Sequence, residues 1–105
     1  MATVDLSKDI YSATSVFIEV LPAVVAIKNL DLDEDTKKET AINIIIESLC
    51  KRRNECADNS DTVLNSISHN YITKVRKIIS TKEDIDGIIK YLNSAIKAGK
   101  NLKVV

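Results

Sequence analysis

Apolar residues recur at helical spacing along almost the whole chain. Leu6, Ile10, Ala13, Phe17, Val20, Val24 and Ile27 follow alternating steps of four and three, the seam of an amphipathic helix. The register holds through Pro22, so the pattern predicts one long first helix kinked at the proline, with a break near 20–22 as the alternative. The proline ring removes a backbone donor and crowds the carbonyl of Ile18. Ile18, Leu21 and Val25 form a second stripe about 100° away, which predicts packing on more than one neighbour.

The segment "LDLDEDTKKE" reads as a solvated acidic turn. Thr36 and Glu39 have capping-box spacing, with Asp33 and Asp35 as competing caps. A second helix then runs to about Ala57, with Ile42, Ile45, Ile46, Leu49 and Cys56 on one stripe and Ile44 on the opposite side. "ADNSDT" is the next turn, where Ser60 or Asp61 is expected to cap a third helix. Leu64, Ile67, Tyr71, Val75 and Ile78 supply its stripe, flanked by Val63, Ile72 and Ile79. "STKE" has capping-box spacing again and stops that helix. A fourth helix uses Ile85, Ile88, Ile89, Leu92 and Ile96, with Gly99 as a left-handed C-cap. Short connections make successive helices antiparallel. The expected fold is therefore a single all-α domain over residues 1–105, an antiparallel up-down four-helix bundle with a Pro-kinked first helix.

Composition narrows the function classes. Two glycines and one proline are too little turn chemistry for an all-β chain. Aromatics are only 4% of residues and Trp is absent, so platforms for stacking bases or sugars are scarce. Fifteen basic and fifteen acidic side chains cancel, leaving no global field to attract nucleic acid or anionic lipid. The first residues, "MATVDLSKDIYSA", place acids where a signal peptide has bases. The apolar run "VFIEVLPAVVAI" is interrupted by Glu19 and Pro22 and is too short to span a bilayer. Two cysteines without a secretion signal point to a reducing, cytoplasmic setting.

The candidate chemistry is thin. Cys50 and Cys56 lie six residues apart, about 240° around a helix and roughly 9 Å along it. A disulfide needs alpha carbons within about 7 Å. His69 is the single histidine, too little for a zinc site. Cys50 and His69 fall level with each other if the chain turns at residues 59–60, the arrangement that activates a cysteine nucleophile. His69, two residues from Ile67, is nevertheless expected to face solvent. Asp31, Asp33 and Asp35 match the first ligands of a calcium loop, but Thr36 and Ile42 stand where that loop needs Gly and Glu. No catalytic residue, metal or cofactor is expected.

Lys51, Arg52 and Arg53 end the second helix, and Lys74, Arg76 and Lys77 end the third, where cations complement the helix dipole. Lys97, Lys100 and Lys103 would join the first triplet at one basic end of the bundle. Arg53 falls near the centre of an apolar face, so it needs backbone carbonyls, a partner protein, or an acid such as Asp5 or Asp9. The expected role is a small non-enzymatic protein-binding module acting by helix-face contacts, as inhibitors, immunity proteins, adaptors and phage-type regulators do. Its partner would be another protein or itself, as a homodimer. Ile18, Val25 and Ile44, with Lys51, Arg52 and Arg53, are the partner-binding candidates. The second reading is a nucleic-acid-associated regulator using the basic bundle end. No membrane partner is expected.

Overall fold

The computed structural model describes residues 7–57 and 67–102, with the side chains of 9–10, 12–53 and 67–101. Four helices pack against each other: α1 (Ser7–Lys28), α2 (Glu34–Ala57), α3 (His69–Ser80) and α4 (Ile85–Leu102). No strand occurs among the described residues. The chain is all-α. None of these helices is long and apolar enough to cross a membrane.

The seam of α1 forms as its spacing predicts. Ala13, Phe17, Val20, Val24 and Ile27 are buried, and the helix runs unbroken through Pro22. The second stripe differs in part from expectation. Leu21 packs partly buried against the core, and Thr14 on the same row is buried, but Ile18 and Val25 stay exposed, while Ser12 and Val16 are buried on the other flank of the seam. The main neighbours of α1 are α2 and α4, and Ile18 and Val25 are the members of that row left exposed.

At the start of α2 the competing caps are resolved in favour of Asp33. Its carboxylate accepts a hydrogen bond from the Thr36 hydroxyl, and its carbonyl accepts from the Lys37 amide at 3.1 Å. The Thr36 bond holds the Asp33 carboxyl below its ordinary pKa. Ala41, Ile45, Ile46 and Leu49 are buried. Ile44, expected on the opposite side, is half-buried and packs against the core. The cause is that α2 touches α1, α3 and α4, so its buried sector is wider than one stripe. Cys56 lies outside the described side chains.

The third helix begins at His69, later than the sequence pattern places it. Its N-cap is Ser68, whose Oγ accepts from the Tyr71 amide at 3.1 Å. Asp9 on α1 fixes that cap, accepting from the Ser68 amide at 2.7 Å and from its hydroxyl at 3.0 Å. Ser60, Asp61, Val63 and Leu64 lie outside the described residues. Ile67 is buried but precedes the helix, and Ile78 is exposed while Ile72 and Ile79 take the core positions. The helix ends at Ser80, as "STKE" suggested, but the cap of α4 is Asp84, whose Oδ1 accepts from the Gly87 amide at 2.9 Å.

On α4, Ile85, Ile88, Leu92 and Ile96 are buried. Gly99 is not a left-handed cap: the helix continues to Leu102, and no described residue has positive φ. A Cβ added at Gly99 would overlap the Thr14 hydroxyl and lie 2.8 Å from the Thr14 Cβ. Close approach of α1 is thus what requires glycine there. Further along the same pair, Phe17 meets Tyr91 edge to face at 6.3 Å. Lys28 pairs with Asp86 at 2.7 Å, which raises the lysine pKa.

Leu49 and Ile88 have no exposed surface and sit in the shared core. Leu49→Ala and Ile88→Ala are each expected to lower unfolding free energy by about 2–5 kcal/mol in urea titrations. Wild-type midpoints for both would contradict this assignment of the core.

Candidate functional site

The partner-binding candidates separate into two places. Ile18 and Val25, seven residues apart on α1, are 45% and 38% exposed. Pro22, Ala23 and Ala26 are exposed beside them, and the exposed Leu30 and Leu32 follow in the turn to α2. No charged residue occurs between Glu19 and Lys28. The outer face of α1 is therefore apolar for about two turns between these two charges. Ile44 does not extend it as a free side chain, because it is half-buried on α2.

Lys51 and Arg52 lie elsewhere. With Val16, Glu19 and Ser48 they line a cleft of about 150 Å³ between α1 and α2. Arg52 is half-buried, and its Nε has no hydrogen-bond partner among the described residues. Arg53 is exposed rather than central to an apolar face. Asp9, one of its suggested partners, is instead committed to Ser68; Asp5 lies outside the described residues. Glu19 beside Lys51 and Arg52 dilutes the positive field of this end.

Cys50 is half-buried against the core, and His69 is exposed in the first turn of α3. Of the three aspartates at 31–35, Asp33 caps α2. Among the described residues, no three His, Cys, Asp or Glu side chains gather where they could hold a metal ion.

A second apolar feature, which periodicity alone does not reveal, is a cleft of about 360 Å³ where α1, α3 and α4 meet. Ile10 forms one wall, Tyr71, Val75 and Ile78 another, and Tyr91, Ala95 and Ala98 the third. Two features of the chain leave it open. α3 has only 12 residues, and α4 turns the small side chains Ser94, Ala95 and Ala98 towards it. Burial raises the pKa of the Tyr71 hydroxyl, with Tyr91 and Asp9 nearby adding to the effect; burial alone raises that of Tyr91. Both phenols stay neutral at physiological pH. The Lys74 side chain also lines the cleft, and the Lys82 ammonium lies 5.7 Å from the centre of the Tyr91 ring. The sequence signal that could have exposed this site is the row of small residues following Tyr91, opposite a third helix without acids.

Asp9 holds the wall of this cleft that α3 supplies, through Ser68. Asp9→Ala leaves the Ser68 amide without its acceptor and is expected to cost about 1–3 kcal/mol. Amide hydrogen exchange should quicken in α3 more than in α2, and unchanged protection of Tyr71 and Ile72 would contradict this role. Compared with protein-family models, with curated proteins and with solved structures, the chain matches none.

Proposed function

We propose that this chain is a non-enzymatic binding module that works through the outer face of α1, and that the face is occupied by a second copy of the same chain. The carrying observation is the exposed apolar side chains of Ile18, Pro22 and Val25 on α1, with Leu30 and Leu32 exposed in the turn that follows. Burying an isoleucine-sized side chain gains roughly 1.5–3 kcal/mol, so several together support a weak dimer. A two-fold contact uses each of them twice. Basic and acidic side chains balance at 15 each, so two copies approach without net repulsion.

Four of the described acids have structural roles, which favours binding over catalysis in this reading. Asp9, Asp33 and Asp84 serve helix caps, and Asp86 is tied to Lys28. The scaffold behind the face is, in this proposal, an antiparallel up-down bundle. Four contacts support that order. Lys28 joins the end of α1 to the start of α4, and Gly99 meets Thr14 towards their other ends. Glu34 accepts from the Ile85 amide at 2.8 Å, joining the starts of α2 and α4. Asp9 and Ser68 join the starts of α1 and α3. Pro22 kinks α1 by leaving the Ile18 carbonyl without its helical donor.

Sedimentation equilibrium at tens of micromolar tests the dimer. The wild type is expected to associate, and Ile18→Glu with Val25→Glu to sediment as a folded monomer. A monomeric wild type, or a dimer indifferent to both charges, would overturn self-association through this face.

A further inference from the structure

We propose that the cleft between α1, α3 and α4 binds a monomeric anionic amphiphile, an apolar chain ending in a carboxylate. None of the residues on the outer face of α1 lines it, so this proposal stands apart from self-association.

Size comes first. A volume of about 360 Å³ falls in the range of small-molecule sites, roughly 300–1,000 Å³. The walls supplied by Ile10, Val75, Ile78 and Ala95 present hydrocarbon from three helices. An alkyl chain laid against them leaves water without forfeiting any hydrogen bond of its own. The polar groups are few: the hydroxyls of Tyr71, Tyr91 and Ser94, and one ammonium, that of Lys74.

Charge selects the headgroup. α3 carries Lys74, Arg76 and Lys77 and no acid. Beyond Asp86, α4 carries Lys90, Lys97 and Lys100 and no acid. The acids near the cleft's ends are already engaged: Asp9 holds Ser68, Asp84 caps α4 and Asp86 pairs with Lys28. Glu83, in the turn between the helices, is exposed and has no ion pair among the described residues. Among the described residues Lys74 has no acidic partner. A carboxylate at the mouth of the cleft would supply it, with the neutral phenol hydroxyls available as donors. A neutral alkyl chain lacks that contact, and a cation would meet the like charge of the Lys74 ammonium.

Decanoate, titrated below its micelle concentration into the intact chain by calorimetry, is the probe, with decanol as the neutral comparison. Decanoate is expected to bind one per chain and more tightly than decanol. Lys74→Glu alters an exposed side chain and should leave the fold intact. It is expected to weaken decanoate by about tenfold, the effect of one charge-assisted contact, while leaving decanol unchanged. Ala95→Phe fills the cleft and should abolish both. Circular dichroism separates a filled cleft from a failed fold, and Lys74→Glu decides alone if Ala95→Phe does not fold. No binding of decanoate to the wild type overturns the proposal. So does binding indifferent to Lys74→Glu, or capture of an acidic helical peptide where decanoate fails.

Discussion

The meeting of Gly99 with Thr14 is the constraint on which the rest of the packing hangs. A methyl group at position 99 would occupy the space of the threonine side chain, so α1 and α4 can lie this close only with glycine there. Thr14 is itself fixed, its hydroxyl donating to the Ile10 carbonyl at 2.7 Å. With the pair held together, Phe17 reaches Tyr91 and Lys28 reaches Asp86 along the same interface. Asp9, less than two turns before Thr14, then ties in the start of α3.

Much of this was legible from periodicity. Phe17, Val20 and Val24 on α1, Leu49 on α2, and Ile88 and Leu92 on α4 are buried where their spacing places them, because one apolar stripe must face a core whatever the neighbours are. What the pattern could not supply depends on contacts between distant segments. Glycine near a helix end serves as a left-handed cap or as a point of close approach, and only the presence of Thr14 decides between them. The Ser68 cap is held by a carboxylate 59 residues away in the chain, which accepts from its amide. Ile44 and Val16 are partly or wholly covered because a helix with two or three neighbours buries more than one stripe. The wide cleft is the least legible feature. It exists only where three helices fail to fill the space between them.

The two apolar surfaces differ in a way that bears on what each would hold. The outer face of α1 carries no charge between Glu19 and Lys28 and suits a surface equally neutral, such as its own copy. The cleft is concave, contains two neutral phenols and is bordered by Lys74, which has no acidic partner among the described residues; that suits a small anionic molecule. The basic triplet at the end of α2 contributes less than its sequence suggests, since Glu19 faces Lys51 and Arg52 across their shared cleft.

Exchanging the two residues at the α1–α4 contact tests the central constraint most directly. Helix propensity alone favours Gly99→Ala by about 1 kcal/mol. Overpacking against Thr14 opposes it by about 1–3 kcal/mol, so the single variant should be destabilised or at best neutral. Adding Thr14→Gly vacates the space, and a urea double-mutant cycle should give a favourable coupling of about 1 kcal/mol or more, despite the cost of glycine inside α1. A Gly99→Ala protein more stable than the wild type, with no coupling to position 14, would contradict the close approach on which the packing rests.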